Sequence, residues 1–399
     1  MGNKKMTIDR LTKLEREYVN SVLDTEFRGS KNIGMVARVE NAFSKFFEKE
    51  FSIGFVNGTA TLHTALESLG VGPGDEVIVP PLTMSSTAFS VLQANATPIF
   101  ADVDPNTFQI DSKSIANRIT KKTKAIMTVA LYGGSPDYDS IQEISNGLPL
   151  IEDNAQALGT KYKGVEIGSF GVFSSYSFQA SKHLTSGEGG MLCTNSLAMA
   201  DYARKIQCLG YSSVGASNNR VKKEDIQDPY YSRHEILGWN YRMSELTAAV
   251  ILGQIERADA LIAQRKEFGR KLFQIVSQTN WLQPQKIVDN SEHSFWAAAV
   301  LMNHESISWH QFRDKFLELG GKGIYAAWKL SYLEPAFQNM KLMGRERLID
   351  KEISDLYKTG YCQNAEFIEE TCLLVKSNKS ITSYDCCKTK YCLKRIIFI

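Results

Sequence analysis

The chain has 399 residues, of which 43% are hydrophobic and 23% are charged. This composition is typical of a folded protein with two or three structural units, and it excludes a disordered chain, a collagen-like fibre and a small disulfide-stapled protein. The net charge is +2, but residues 371–399 contain six Lys or Arg and one Asp. The rest of the chain is therefore slightly acidic, and nucleic-acid binding is not expected.

Two further patterns exclude other classes of protein. No apolar stretch reaches the ~20 residues that a membrane helix needs, and no apolar run follows the N-terminal basic residues as it would in a secretory signal. We therefore expect a cytoplasmic protein without a membrane partner. Only Cys193 and Cys208 precede residue 362, and the other five cysteines follow without any CxxC pair. Neither a disulfide framework nor a metal site is expected from this spacing.

Apolar runs alternate with helix-like segments along the first half of the chain. The predicted strands are the short run before Asn57 and residues 76–81, 97–103, 124–131, 149–154, 172–178 and 189–194. The predicted helices are residues 35–50, the stretch from Asn57 to Gly70, and residues 83–95, 111–120, 138–146 and 196–208. Alternating strands and helices favour right-handed crossovers. The sequence therefore predicts an α/β fold, with a mainly parallel mixed sheet covered by helices on both faces.

The second half of the chain predicts a smaller unit. A helix is expected from about Ser244, after a polar loop over residues 211–235. We place a large domain at residues 1–264 and a smaller α+β domain at residues 265–370, with a strand at 294–302. Residues 371–399, rich in cysteine and basic residues, form an atypical tail. One hypothesis is a frameshifted or disordered segment, and the alternative is an unusual but genuine C-terminus.

Ligands of such sheets bind beyond the carboxyl ends of the strands, where the polar segments 57–59, 152–156 and 177–182 fall. A buried Asp153 would need a cationic partner such as a protonated pyridine nitrogen, although an Asp that caps a turn is the common alternative. Residues 57–60 join a strand to a helix, so free N–H groups could hold a phosphate there. A plain turn with an N-cap is the alternative for that segment. Lys182 alone would indicate no more than a surface charge.

Taken together and in this order, the segments resemble a known family. The chain is similar to the pyridoxal-phosphate (PLP) sugar aminotransferases of the DegT/DnrJ type, from about residue 12 to 366. The resemblance implies the PLP transferase fold type I. The motifs that carry it are NGTATLHTAL (57–66), GDEVIVPPLT (74–83), ATPIFADVD (96–104), IEDNAQALG (151–159), SYSFQASKHLTSGEGG (175–190) and LGWNYRMSELTAAV (237–250).

The resemblance implies a role for each matching residue. Lys182 would be the Schiff-base lysine and proton shuttle, and Asp153 would pair with the pyridine nitrogen. Gln156 would neighbour the phenolic oxygen of the cofactor. The expected phosphate contacts are Thr59, Ala60, Ser177 and, from the other subunit of a homodimer with shared active sites, Asn240. Gly58 is expected at the cofactor as well, where it allows close approach.

Two positions depart from the common pattern of the family. Met84 stands where many members have an aromatic ring that stacks on the cofactor, and a thioether can still cover a ring face. Ala130 stands where many members have His. The first departure leaves the cofactor expectation in place, and the second concerns local substrate contacts.

The expected reaction converts a nucleotide-linked keto-sugar to an amino-sugar, with glutamate as donor, in surface polysaccharide or glycan precursor synthesis. Arg242 is expected to take the glutamate carboxylate. Loop 211–235 offers further substrate contacts, of which we select Tyr231, Arg233 and His234.

Three other functions remain open at this point. One is a PLP-dependent dehydratase, which carries His in place of the lysine, and here His183 follows Lys182. Another is a catalytically impaired PLP-binding or regulatory homologue with the atypical tail. A cysteine-based enzyme would need Cys193 or Cys208 as nucleophile.

Overall fold

The computed structural model describes residues 9–27, 34–339, 341–342, 345–346, 349–376 and 383–397. Its helices are α1 (Lys13–Asp24), α2 (Met35–Phe46), α3 (Gly58–Ser68), α4 (Ser86–Gln93), α5 (Ser112–Ala116), α6 (Tyr138–Ile144), α7 (Leu197–Gln207), α8 (Lys223–Gln227), α9 (Glu245–Ile255), α10 (Ala258–Val276), α11 (Trp309–Glu318), α12 (Pro335–Asn339), α13 (Lys351–Ser354), α14 (Gln363–Thr371) and α15 (Ser383–Ile397).

The strands cover the following residues: β1 (Phe51–Phe55), β2 (Glu76–Val79), β3 (Thr97–Phe100), β4 (Thr123–Val129), β5 (Leu150–Asp153), β6 (Lys161–Tyr162), β7 (Val165–Glu166), β8 (Phe173–Ser177), β9 (Gly190–Thr194), β10 (Leu282–Pro284), β11 (Ser291–Glu292), β12 (Ala297–Met302), β13 (Ile324–Ala326), β14 (Lys341–Leu342), β15 (Arg345–Glu346) and β16 (Cys372–Lys376). Short 3-10 turns lie at Leu131–Gly133 and Ser331–Leu333.

The main sheet of the described residues has seven strands in the order β1-β9-β8-β5-β4-β2-β3. Only β9 runs against the others, pairing antiparallel with both β1 and β8. Along β2, Val77 and Val79 join one hydrophobic cluster and Ile78 joins another, so the sheet is buried on both faces. This burial explains the near-continuous apolar runs of the sequence. The mainly parallel mixed sheet with helices on both faces is the predicted fold class.

Polar residues fix where the helices of this layer begin. Asn57 caps α3, since its Oδ1 accepts a hydrogen bond from the Ala60 N–H at 2.8 Å. Ser196 and Ser244 cap α7 and α9 in the same way. These caps satisfy N–H groups that a helix leaves unpaired at its start. The helix start after β1 therefore lies at the carboxyl edge of the main sheet.

A second, antiparallel sheet has the order β10-β12-β16-β13. Every residue of β12 is buried. Phe268, Phe312 and Phe316, from α10 and α11, pack with strand residues in a separate hydrophobic cluster. The domain boundary expected at residues 264 and 265 falls inside α10, which runs without interruption from Ala258 to Val276.

The C-terminal segment differs from the expectation of a separate tail. The first five residues after Thr371 form β16, an inner strand that pairs with β12 on one side and β13 on the other. Helix α15 packs against α10 and α11, and its Leu393 belongs to their cluster. The apolar run Cys372–Val375 is buried, which is the physical reason for a strand here. The frameshift hypothesis concerns the origin of the segment, and it stays a hypothesis.

No described helix is long and apolar enough to cross a membrane. Within the same residues, no three His, Cys, Asp or Glu side chains gather where they could hold a metal ion.

Candidate active site

A cavity of about 430 Å³ opens at the carboxyl edge of the main sheet, beneath the second sheet. Loops after β1, β2, β5 and β8 build one side of it, and residues at the ends of β12, β13 and β16 build the other. The residues that line the cavity are Asn57, Gly58, Thr59, Leu62, Thr83, Met84, Ser86, Asp153, Ala155, Gln156, Ser177, Gln179, Ser181, Lys182, Glu188, Trp296, Trp328 and Lys376.

One end of the cavity is an anion cradle at the N-terminus of α3. Gly58 and Thr59 begin this helix, and Ser177 ends the nearby strand β8. A Cβ added at Gly58 would lie 3.1 Å from the Ser177 Cβ, so glycine permits this close approach. Hydroxyl groups and a helix N-terminus form a site suited to a phosphate. Ala60 is buried and outside the lining, and its N–H donates to Asn57.

Asp153 stands at the end of β5, deep in the cavity. Its Oδ2 accepts a hydrogen bond from Thr87 Oγ1 at 2.9 Å, and its Oδ1 accepts one from the Ala155 N–H at 3.1 Å. Burial raises the pKa of this carboxyl, while the two hydrogen bonds and the nearby Lys182 ammonium lower it. A cation bound next to Asp153 would hold the carboxyl in its ionised form.

Gln156 lines the cavity three residues after Asp153. Its Oε1 accepts a hydrogen bond from the Tyr132 N–H at 2.9 Å. Tyr132 has a left-handed backbone, with φ of 60°, and its ring stacks parallel to Trp296 at 6.3 Å. The hydrogen bond from the Tyr132 N–H orients the side-chain amide of Gln156.

Lys182 follows β8 and projects into the cavity. Its carbonyl oxygen accepts hydrogen bonds from Arg10 Nη2 at 2.6 Å and Arg265 Nη2 at 2.9 Å, which fixes the backbone. Its Nζ lies 5.0 Å from the centroid of the Trp296 ring. Burial lowers the pKa of Lys182 to about 8, although the Asp153 carboxylate opposes this shift. A neutral amine, and hence a nucleophile, is therefore accessible near neutral pH.

His183 points away from the cavity although it is the next residue. Its Nε2 lies 3.0 Å from the carbonyl oxygen of Ser294, and its side chain is buried outside the lining. The structure thus separates the two candidates for the central position. Lys182 lies in the cavity near the carboxylate of Asp153, and His183 lies outside the lining.

The other predicted residues differ in their position relative to the cavity. Met84 lines the mouth of the cavity with 52% of its surface exposed. Ala130 is buried, and its N–H donates to the Asp153 carbonyl at 3.0 Å. Asn240 is exposed and pairs by its backbone with Cys208, outside the lining formed by the described residues of this chain.

The predicted substrate residues also lie outside that lining. Tyr231 shares a hydrogen bond of 2.6 Å with Ser213, and Arg233 is exposed. His234 Nδ1 lies 2.8 Å from the Leu209 carbonyl oxygen. Arg242 Nη1 lies 3.5 Å from the Cys208 sulfur. Within one chain, these four residues and Asn240 are not brought together with Lys182.

Sequence reasoning missed the residues that line the second face of the cavity, namely Trp296, Trp328 and Lys376. Trp296 stands directly before β12, and its Nε1 donates to the Ser181 carbonyl at 3.0 Å. The predicted strand at 294–302 contained a signal for Trp296, since two large aromatic residues, Phe295 and Trp296, stand at the start of its apolar run. Lys376 ends β16, inside the segment that was interpreted as a tail.

Cys193 and Cys208, the two candidate nucleophiles, do not form a reactive centre. Cys193 and Cys208 are buried and lie outside the lining. Burial raises the pKa of the Cys193 thiol to about 12. A thiol that stays protonated is a weak nucleophile, which argues against a cysteine-based enzyme.

Comparisons with known proteins identify relatives of this chain. A model of the DegT/DnrJ/EryC1/StrS aminotransferase family matches residues 9–351. The chain is 38% identical to a GDP-perosamine synthase of Caulobacter vibrioides over 342 residues, which are 84% of each protein. It is also 38% identical to a GDP-perosamine synthase of Escherichia coli O157:H7 over 293 residues, or 73% of this chain and 76% of that protein. The aminotransferase structure from Psychrobacter cryohalolentis superposes with a TM-score of 0.85 at 27% identity, covering 98% of both chains.

Proposed function

The chain belongs to the DegT/DnrJ/EryC1/StrS aminotransferase family, and from this premise we propose that it aminates a nucleotide-linked keto-sugar with glutamate as donor. The observation that carries the proposal is the convergence of Lys182, Asp153 and an anion cradle on one cavity. Because two relatives are GDP-perosamine synthases, a GDP-linked sugar is the first substrate to test. We place the product in surface polysaccharide or glycan precursor synthesis.

The cavity fits the PLP cofactor of the family at both ends. Gly58, Thr59 and Ser177 would hold the phosphate at the start of α3, and Asp153 would face the pyridine nitrogen. Lys182 would attach the cofactor, with Gln156 beside its phenolic oxygen. When bound, PLP supplies an electron sink for negative charge at the carbon that carries the amine.

Residues of the protein would carry out the proton transfers and would position Lys182. The buried Asp153 carboxylate would keep the pyridine nitrogen protonated, because a buried carboxylate without a cationic partner is costly. The Lys182 amine, once free, would remove the proton from the carbon that bears the amine of the donor and would deliver it to the cofactor carbon on the other side of the amine nitrogen. Trp296 covers the Lys182 side chain, and the main chain around Lys182 is held by Arg10 and Arg265.

We further propose a homodimer with shared active sites. Tyr230, Leu237 and Trp239 expose 92%, 98% and 48% of their surfaces, close in sequence to Asn240. Exposed large apolar side chains on one segment are typical of a protein interface. A second copy would cover them and receive Asn240 at its phosphate cradle. Tyr231, Arg233, His234 and Arg242 would then face the partner's cavity.

The test of the proposed reaction is a panel of nucleotide-linked keto-sugars, GDP-linked ones first, incubated with the PLP-loaded protein and glutamate. We expect release of 2-oxoglutarate with one or a few of the sugars. Release with none of them, while ordinary keto acids accept the amino group, would contradict the sugar assignment and leave the cofactor chemistry in place.

The two other PLP-based functions gain no support from the site. The dehydratase alternative requires His at the position of Lys182, and His183 points elsewhere. The impaired homologue was inferred from the C-terminal segment, which in the structure supplies an inner strand and a lining residue.

A further inference from the structure

We propose that Lys376, from the C-terminal strand β16, binds the α-carboxylate of the amino donor. The inference rests on the proposed aminotransferase function and adds a specificity-determining residue to it. It also assigns a role in the active site to residues 371–399, the segment whose sequence matches none of the motifs of the family.

The sheet fixes the position of Lys376. The residue ends β16 opposite Ala297, directly beside Trp296 in the register of β12. Its N–H donates to the Gly323 carbonyl at 3.5 Å. The main chain at Lys376 is therefore held on both flanks of an inner strand, and the side chain lines the cavity.

Aromatic rings surround the Lys376 ammonium. Its Nζ lies 4.0 Å from the ring centroid of Trp296, 4.8 Å from that of Tyr325 and 5.4 Å from that of Trp328. Aromatic faces attract a cation but do not neutralise it. No carboxylate of the described residues forms an ion pair with Lys376. The ammonium is half-buried, so an anionic ligand is the missing partner.

Lys182 and Lys376 are the cationic side chains of the lining among the described residues. Both nitrogens lie within 5.0 Å of the centroid of the same ring, that of Trp296. Burial lowers the pKa of Lys376 to about 8, so the group is still mostly charged at pH 7. The cavity therefore places a fixed positive charge close to the amine that the donor must displace.

Distance along the substrate selects the α-carboxylate as the ligand. The amino donor reacts through its nitrogen at the Lys182 side of the cavity, and its α-carboxylate is attached to the carbon that bears this nitrogen. In a nucleotide-linked sugar, the ring separates the keto carbon from the diphosphate. A cation beside Lys182 thus meets the carboxylate of the donor first. Arg242, the residue expected for this task, contacts Cys208 and stays outside the lining of its own chain.

The experiment separates donor binding from turnover of the sugar. PLP-loaded wild type, Lys376→Met, Lys376→Arg and the exposed control Lys322→Met are titrated with α-methylglutamate, which has no proton to lose at the reacting carbon. The visible absorbance of the cofactor reports binding. The single-turnover reaction with glutamate, without keto-sugar, then gives the apparent Kd and the limiting rate. Glutamine and alanine, which keep the α-amino and α-carboxylate groups of glutamate but lack its side-chain carboxylate, are tested in parallel.

We expect Lys376→Met to weaken the binding of α-methylglutamate and of glutamate by roughly 10- to 100-fold, as for the loss of a charge-assisted hydrogen bond. The limiting rate should change much less. Lys376→Arg should restore most of the affinity, and Lys322→Met should behave as wild type. The binding of glutamine and alanine should weaken alongside that of glutamate, because both keep the α-carboxylate.

Equal binding of α-methylglutamate by Lys376→Met and wild type would overturn the proposal. So would a loss confined to the nucleotide-linked sugar, because Lys376 would then serve the diphosphate. If Lys376→Met does not fold, Lys376→Gln replaces it, with the melting temperature and the PLP affinity as checks. A wild-type protein that reacts with no amino acid would refute the proposed function itself, and with it this inference.

Discussion

Lys182 combines the features that an amine nucleophile needs in this cavity. It is buried, faces Asp153 and has a main chain held by two arginine side chains. We predict that borohydride reduction followed by peptide mapping finds the pyridoxyl group on Lys182. Lys182→Ala should abolish transamination, while the phosphate cradle still binds the cofactor non-covalently. The exposed control Lys113→Ala should keep full activity. A label on another lysine would contradict the assignment.

The carboxylate of Asp153 gives a second prediction at this scale. Asp153→Asn should fold, since an amide fits the same space, its oxygen can accept from the Ala155 N–H, and its NH2 can donate to the Thr87 hydroxyl oxygen. Turnover should fall by orders of magnitude, because the electrostatic partner of the pyridinium is lost. The matched change Asp259→Asn, at an exposed position on α10, should leave kcat unaltered. An Asp153→Asn enzyme with near wild-type kcat would reduce Asp153 to a turn cap.

The lowered pKa of Lys182 gives a pH dependence with a defined sign. Burial favours the neutral amine, Lys376 and Arg265 add repulsion, and Asp153 and Glu188 oppose both. With a pKa of about 8, roughly a tenth of the amine is neutral at pH 7. The rate at which PLP attaches to the apo-protein should therefore rise with pH through about 8 and level off above it. A midpoint near 10, the ordinary value of lysine, would contradict the burial argument.

Among the elements, the strands of the main sheet could be predicted and the second face of the cavity could not. The strands that end at Val79 and Asp153 are apolar because both faces of the main sheet are covered. Their apolar composition therefore identifies them as strands. Trp296 and Lys376 lie beside or in the second sheet. Both follow Lys182 and Asp153 by more than 100 residues. Their position in the cavity depends on how the two sheets pack against each other, and no local sequence pattern predicts this packing. Lys376 was also hidden because the segment matched no family motif.

The position of strand β16 gives a prediction about stability, because this strand pairs with both β12 and β13. Leu374 is fully buried in this strand. Leu374→Ala should cost about 2–5 kcal/mol, as for other large-to-small changes in a core, and lower the melting temperature. Lys394→Ala, exposed on α15, should have no such effect. A stable, active protein truncated after Thr371 would show that the segment is dispensable and would favour its interpretation as an added tail.

At the scale of the whole molecule, one chain leaves the predicted site incomplete. Asn240 and the predicted substrate residues lie outside the lining, on a segment with exposed apolar side chains. If a second copy brings Asn240 to the partner's cradle, Lys182→Ala and Asn240→Ala damage different chains of one site. A mixed dimer then contains one site in which both residues are intact.

We therefore predict that mixing inactive Lys182→Ala with an inactive Asn240 variant restores up to about half of the activity of an equal amount of wild-type dimer, as a two-site assembly requires. Co-expression with two affinity tags isolates the mixed species, and light scattering gives its mass. Mixing Lys182→Ala with Asp153→Asn is the matched control. Both residues line the cavity of one chain, so a mixed dimer has one site damaged at each position and gains no intact site. Restored activity in the first mixture alone requires Asn240 to act across the interface. Failure of the first mixture, despite a confirmed mixed dimer, would mean that each chain builds its own site.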